Sequence, residues 1–260
     1  MKKVLQILVL FLLSVSTITA QSKDPVVQNI IDEATNNSQL KKIGHELLDV
    51  IGPRLVGTPQ MKQANDWAVA KYKSWGISAR NEKWGEWRGW ERGITHVDML
   101  YPRVQSLTGT QLAWNPGTSD AGVTGEVVMI PTFADAEAFK NWLKTVKGKI
   151  VLISMNQPTG RPDYNWEEFA TPESFEKMKK ERDEMSKEWS DNIRRTGFNS
   201  RTIIAELENA GASGLVSSNW SKGFGVNKIF SASTKKIPTI DLELEDYTML
   251  YRLAEYGDKP

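Results

Sequence analysis

The sequence of 260 residues contains no cysteine. Without Cys the chain can form no disulfide, no thiolate metal site and no cysteine nucleophile. Histidine is almost as scarce, with two residues, and the formal net charge at pH 7 is only +1. Because nucleic acids attract clustered Lys and Arg, this near-neutral charge argues against nucleic acid as a partner.

The first 20 residues have the pattern of a secretory signal peptide. Lys2 and Lys3 precede an apolar run at residues 4–13, and small and polar residues follow up to Ala20. The alternative, a membrane anchor, conflicts with the length of the run, since about 20 apolar residues are needed to span a bilayer. Without this leader the formal charge falls by two, to −1. We therefore expect a secreted or periplasmic protein with no stable membrane anchor.

Residues 125–244 alternate short apolar runs with amphipathic stretches. The runs predict strands at 125–130, 149–154 and 237–242, and a fourth strand directly after the glycine-rich helix stop at 210–216. Helices are predicted between them, at 134–146 and 202–209. Strands that alternate with helices imply crossover connections, so we predict an α/β fold with a mainly parallel sheet covered by helices.

Four short sequences occur in a fixed order along this region: Gly-Glu-Val-Val at 125–128, Gly-Lys-Ile-Val-Leu-Ile at 148–153, Ala-Gly-Ala-Ser-Gly-Leu-Val at 210–216 and Ile-Pro-Thr-Ile-Asp-Leu at 237–242. The ordered set resembles the protease-associated (PA) domain. This resemblance implies a PA-type α/β domain at residues 119–256, with a helical insertion at about 159–200.

The insertion is predicted to contain one long amphipathic helix. Thr171 and Pro172 open it, and its apolar positions recur at steps of three and four residues: Phe175, Met178, Met185, Trp189 and Ile193. One interpretation is a solvated helix packed on a neighbouring element. The other is a lid or wall over the active site of a complete enzyme.

Helices are also predicted in the amino-terminal part. Asp24 can cap a helix that begins at Pro25 and buries Val26, Val27, Ile30 and Ile31. A second helix has Ser38 as its cap and carries the apolar stripe Leu40, Ile43, Leu47, Leu48 and Ile51. A third has Thr58 as its cap and Pro59 at its first position, and it ends before Gly76.

The segment between the second and third helices reads Ile-Gly-Pro-Arg-Leu-Val-Gly-Thr-Pro, residues 51–59. Together with Trp-Gly-Ile at 75–77 and Gln-Leu-Ala-Trp-Asn-Pro-Gly-Thr at 111–118, it resembles the amino-terminal portion of the zinc exopeptidases of metallopeptidase family 28. That group includes aminopeptidase Y and glutamate carboxypeptidase. The resemblance implies that residues 21–118 are an incomplete portion of a peptidase domain, which the PA domain interrupts.

By the same resemblance, the complete enzyme would hydrolyse terminal peptide bonds of peptide substrates with two zinc ions, and the PA domain would shape substrate access. The metal ligands and catalytic carboxylate of that family follow the insert. We therefore expect the catalytic half to be missing from this chain, which should be inactive alone and hold no zinc.

The two histidines lie in motifs that only partly match metal sites. His45 begins a stretch like the two-His zinc helix, but Asp49 stands where the second His is needed one turn later. His96 and Asp98 have the His-x-Asp spacing of the family that the chain resembles, yet they precede the insert. Because a two-metal site needs several His and carboxylate ligands per ion, we assign no catalytic, cofactor-binding or metal residue.

Tryptophan recurs every three residues at Trp84, Trp87 and Trp90. The intervening glycines argue against a helix, and an extended backbone could align the rings for stacking on sugars or peptide side chains. The alternative is that the rings pack between the amino-terminal part and the insert. The stacking interpretation supports a hypothesis from another class, a non-catalytic module of the periplasm or cell exterior that binds peptide or glycan.

Overall fold

The structure, a computed structural model, describes residues 24–226, 228–230 and 233–260. The chain divides into two compact units, Met1–Glu91 and Arg92–Pro260. The predicted signal peptide lies outside the described residues. Within the described residues, no helix combines the length and the apolar character needed to cross a membrane.

The first unit consists of helices joined by short turns. These are α1 (Pro25–Asn36), α2 (Leu40–Gly44), which continues as a π-helical turn (His45–Ile51), and α3 (Pro59–Ser74). Two of the three helix caps predicted for this unit are confirmed, and the third is wrong, because the residue that caps α2 is Gln39 and not Ser38. The Asp24 carboxylate accepts a hydrogen bond from the Val26 backbone N–H at 2.8 Å, and the Thr58 hydroxyl accepts one from Met61 at 3.2 Å. Each cap satisfies a backbone donor that the helix leaves unpaired.

The burial predicted for α1 is wrong. The helix contains no buried residue, and Val26, Ile30 and Ile31 are 64%, 62% and 40% exposed. Helical spacing identifies the side of a helix that could be buried, but burial requires a partner surface. The described part of the first unit supplies no such partner for this face.

The apolar stripe predicted for the second helix is confirmed only in part. Ile51 is buried, whereas Leu40 and Leu48 are exposed. The prediction assumed an α-helix throughout, but residues 45–51 form the π-helical turn. Hydrogen bonds from i to i+5 widen that turn and change which residues share a face.

The second unit contains a five-stranded sheet in the order β3-β7-β6-β5-β4. Its strands are β3 (Gly109–Gln111), β4 (Val127–Met129), β5 (Ile150–Leu152), β6 (Gly214–Ser217) and β7 (Thr239–Leu242). Strands β4 to β7 are parallel, and β3 joins β7 in antiparallel register, with Gly109 opposite Leu242. A small ribbon pairs β1 (Asp98–Met99) with β2 (Gln105–Ser106).

Helices cover both faces of this sheet. Alternate strand residues point to opposite faces, so Val151 and Leu215 join one apolar core and Leu152 and Val216 the other. The first core packs against α4 (Ala136–Leu143), α6 (Pro172–Arg195) and α7 (Thr202–Asn209). The second packs against α8 (Leu244–Tyr256). A short helix, α5 (Asp163–Phe169), precedes α6.

The predicted α/β architecture is confirmed, and the long insertion helix begins as predicted. The Thr171 hydroxyl accepts a hydrogen bond from Ser174 N at 3.3 Å, and α6 buries Met178 and Ile193. The helix therefore packs on neighbouring elements, as the first interpretation expects. The predicted helix stop is also confirmed, because Gly211 has φ +88°, a conformation that favours glycine.

Along the sequence, the boundary between the two units falls between residues 91 and 92, so β3 at 109–111 belongs to the second unit. The assignment of residues 119–256 to a PA domain, with an insertion at 159–200, stays a prediction, as does the lid role of that insertion.

Candidate functional site

The carboxyl ends of the parallel strands form the candidate site of the second unit. Open parallel sheets place the ends of their strands at one edge, and ligands most often bind there. In this chain the segments after β5 and β6, the end of β7, and helices α5 and α6 bring polar and charged side chains to this region.

Asp241, near the end of β7, is 1% exposed. Its Oδ1 atom accepts three hydrogen bonds, from Ser217 Oγ at 2.9 Å, Asn219 N at 2.7 Å and Asn219 Nδ2 at 2.8 Å. Burial raises the pKa of Asp241, although these hydrogen bonds act in the opposite direction. This carboxyl group therefore ties the end of β6 to β7.

Tyr247 performs a similar role for β5. Its hydroxyl donates to Ser154 O at 2.6 Å and accepts from Ser154 N at 2.8 Å, while its ring is fully buried. Burial raises the pKa of Tyr247, so the hydroxyl stays protonated and can donate. The first turn of α8 is thus hydrogen-bonded to Ser154, which lies two residues after the end of β5.

A charged cluster connects α5, α6 and the segment after β6. The Asp163 carboxylate accepts a hydrogen bond from Arg182 Nη1 at 2.8 Å and another from Lys222 Nζ at 2.6 Å. The Arg182 guanidinium also lies 5.1 Å from the ring centroid of Trp220. Burial alone would raise the pKa of Asp163, but the hydrogen bonds from Lys222 and Arg182 outweigh it and lower the pKa.

Sequence reasoning missed Arg182, although the sequence contains a signal for it. Arg182 lies four residues after Met178 and three before Met185, so it interrupts the predicted apolar stripe of α6. It is only 8% exposed. An arginine on the buried side of a helix needs a charged or polar partner, which here is Asp163.

An apolar cavity of about 610 Å³ lies on the face of the sheet that carries the second core. Strand residues form its floor, among them Val127, Ile150, Val216, Ile240 and Leu242. Its lining includes five titratable side chains: His96, Asp98, Tyr101, Glu126 and Lys259. An apolar floor suits hydrophobic side chains, but this lining provides no recognisable catalytic set.

The structure does not combine the predicted metal-like motifs into a metal site. His45 Nδ1 lies 2.8 Å from Asp49 Oδ2 in an exposed pair of the first unit. His96 is exposed in the second unit, and Asp98 accepts a hydrogen bond from Ser106 Oγ at 2.7 Å. Within residues 24–226, 228–230 and 233–260, no three His, Asp or Glu side chains could hold one metal ion. The residues present therefore do not fit a catalytic zinc pair.

The tryptophan segment has no helix or strand, in agreement with the prediction from its glycines. Trp84 and Trp87 are 87% and 61% exposed, and Trp90 is half-buried. Gly57 approaches this segment closely, because a Cβ atom there would lie 2.7 Å from the Arg88 carbonyl oxygen. Gly57 of the 51–59 motif thus lies close to Trp87 and Arg88 within the first unit.

Comparison with known proteins finds similarity to peptidases. The chain is 27% identical over 214 residues to Carboxypeptidase Q of Mus musculus, a match that covers 82% of this chain and 39% of that protein. It is 29% identical over 112 residues to Carboxypeptidase Q of Homo sapiens, covering 43% of this chain and 23% of that protein. The chain therefore spans at most about 39% of the length of these relatives. No family profile matches the chain.

Two solved structures are also similar. One is a peptidase M28 precursor from Shewanella amazonensis, with a TM-score of 0.47 and 20% identity, covering 88% of this chain and 47% of that one. The other is a zinc aminopeptidase from Bacillus subtilis, with a TM-score of 0.40 and 16% identity, covering 79% and 39%.

Proposed function

We propose that this chain is the amino-terminal portion of an exported zinc-dependent exopeptidase of metallopeptidase family 28. The observation that carries the proposal is the match to Carboxypeptidase Q of Mus musculus, which extends over 82% of this chain. The matched stretch is longer than the second unit, so it includes residues of both units. The 51–59 and 111–118 motifs support the same family.

The residues that would bind zinc lie outside these 260 residues in this proposal. The sequence has two His, and neither lies near enough to two further ligands among the described residues. A catalytic zinc site takes three protein ligands per ion, and a two-metal site needs a shared set of His and carboxylates. The relatives are more than twice as long as the stretch that matches, which leaves room for such a set.

The second unit has the role of a PA domain that shapes access of peptide substrates to the catalytic half. Its sheet and its insertion helix α6 form a separate compact unit, which suits an appendage rather than a catalytic centre. Export follows from the predicted signal peptide at residues 1–20.

The direct experiment is to read the encoding gene past codon 260 and to express the longest open frame. We expect a downstream His-x-Asp pair and a Glu-Glu pair, bound zinc, and release of terminal amino acids from peptides that a chelator abolishes. A stop codon directly after codon 260 would refute the proposal, as would a longer protein without those motifs.

The exposure of Trp84 and Trp87 favours a second candidate, a non-catalytic module that binds peptide or glycan. Exposed aromatic rings stack on sugars and on peptide side chains. This candidate predicts measurable oligosaccharide or peptide affinity of the 260-residue chain, which Trp87→Ala removes. The matched control is Trp75→Ala, because Trp75 is 54% exposed but lies outside the tryptophan segment. Equal loss in both variants, or no affinity at all, would count against it.

A further inference from the structure

Arg182 has two buried donor atoms without a partner. Its Nε and Nη2 atoms each expose less than 1 Å² and make no hydrogen bond within the described part of the chain. Leaving such donors unpaired lowers stability, and more so when the group is charged. Native proteins therefore seldom retain them without a function or a bound partner.

The two atoms are neighbours on one edge of the guanidinium. Nε and one terminal nitrogen donate in parallel, and this fork matches the two oxygens of a carboxylate. The remaining groups of Arg182 are already engaged, because Nη1 donates to Asp163 and the flat face lies over the Trp220 ring. A partner must therefore approach in the plane of the guanidinium, along the edge that carries Nε and Nη2.

The charges of the cluster indicate the sign of that partner. Asp163 is the single carboxylate bound by both Arg182 and Lys222, so one positive charge is left over. Lys222 is about half exposed, and water screens its charge, whereas the Arg182 side chain is only 10% exposed. A buried, uncompensated charge is costly, and a second carboxylate would neutralise it.

The location agrees with a ligand site. Asp163 and Trp220 follow β5 and β6 at the carboxyl edge of the sheet. Two further polar atoms in the segment after β5, Asn156 Oδ1 and Gln157 Oε1, are buried and lack a partner among the residues described. So does the indole N–H of Trp166 in α5. This edge thus offers the two charged donors of Arg182, two unpaired acceptors and one further donor.

We propose that the edge of Arg182 that carries Nε and Nη2 binds the carboxylate of a small ligand or of a peptide carboxyl terminus. The two nitrogens would donate to the two carboxylate oxygens, while Asp163 and Trp220 hold the guanidinium in place. Binding of the carboxylate requires only the 260-residue chain and no zinc. It can therefore fail or succeed independently of the exopeptidase proposal.

The test uses N-acetylglycine as the probe and neutral N-acetylglycinamide as its matched control. The Nε–H resonance of Arg182 in a ¹H–¹⁵N spectrum is assigned by its disappearance in Arg182→Lys. We expect saturable movement of this resonance with N-acetylglycine and none with the amide, because only the carboxylate offers two charged acceptors. Equal responses to both probes, or no response to either, would overturn the proposal.

Variants provide a second and independent measurement by calorimetry. Arg182→Lys keeps the charge but loses the fork, so we expect binding of N-acetylglycine to weaken by about tenfold or more. The matched control is Arg161→Lys, since Arg161 is exposed and lies 5.9 Å from the Trp166 ring. This control should bind as the parent chain does.

Asp163→Asn tests the charge argument, and it remains informative if Arg182→Lys does not fold. An asparagine can still accept the hydrogen bond from Arg182 Nη1 but lacks the charge of Asp163, so binding of N-acetylglycine should tighten. Unchanged or weaker binding would overturn the charge argument. Inorganic phosphate is the last binding probe. If phosphate binds more tightly than N-acetylglycine, the site is a general phosphate site and the carboxylate assignment is wrong.

Discussion

Replacement of Asp241 tests whether its buried carboxyl group holds the carboxyl edge of the sheet together. In Asp241→Ala the backbone N–H of Asn219 loses its acceptor. Ser217 Oγ keeps an alternative in Ile240 O at 3.3 Å, and Asn219 Nδ2 keeps one in Ser217 Oγ at 3.1 Å. One donor left without an acceptor and two weakened hydrogen bonds should together lower the free energy of unfolding by about 2–4 kcal/mol.

Asp241→Asn is the matched variant, because all three hydrogen bonds go to Oδ1 and an asparagine retains that oxygen. The loss in free energy of unfolding of Asp241→Asn near pH 7 should therefore be small. The pH dependence follows from the pKa, which burial raises above the ordinary value of 3.8. The native state then holds the proton more tightly than the unfolded state, so the stability contributed by Asp241 is full below the unfolded pKa. It is lost as pH rises through the folded pKa.

The assay is urea unfolding of the parent chain, Asp241→Ala and Asp241→Asn at about pH 4 and pH 7. On going from pH 7 to pH 4, the free energy of unfolding of the parent chain should rise relative to that of Asp241→Asn. As a control, Asp258→Ala removes an exposed carboxylate and should change stability by no more than about 0.5 kcal/mol. If the Asn variant loses as much as the Ala variant, the hydrogen-bond account is wrong. A pH dependence of the opposite sign would contradict the dominant effect of burial on the pKa of Asp241.

Two other changes test the core and a loop. Phe139 is fully buried against neighbouring aromatic rings, so Phe139→Ala should cost about 3–5 kcal/mol in urea unfolding, whereas Phe169→Ala, at a 66% exposed position, should cost far less. Glu208 Oε1 accepts from three successive backbone N–H groups at residues 235–237. Glu208→Ala should therefore lower stability by about 1–3 kcal/mol and Glu208→Gln by less, and equal losses would contradict this reading.

The parallel part of the sheet could be predicted because its strands are buried on both faces. Such strands read as continuous apolar runs, and Ile-Val-Leu-Ile at residues 150–153 is of this kind. The observed strands are shorter than the predicted ranges, since β5 covers Ile150–Leu152 and β7 covers Thr239–Leu242. Strand β3 was missed because Gly-Thr-Gln has no apolar pattern, and it pairs with β7 far along the sequence.

Burial in the first unit was predicted less well than helix position. Caps are local, so Asp24 and Thr58 could be identified from the sequence alone. The packing of an apolar face depends on distant residues, which explains the error for α1. Arg182 lies between these cases, because its spacing marks it as buried, while its unpaired atoms become apparent only when Asp163 and Trp220 are in position.

We propose that the residues described by the structure do not provide the ligands of a catalytic zinc pair. The most direct measurement is the zinc content of the purified chain after exposure to zinc and removal of weakly bound metal. The account predicts far less than one ion per chain and no release of amino acids from peptides. Stoichiometric, tightly held zinc together with peptidase activity in this chain would contradict it.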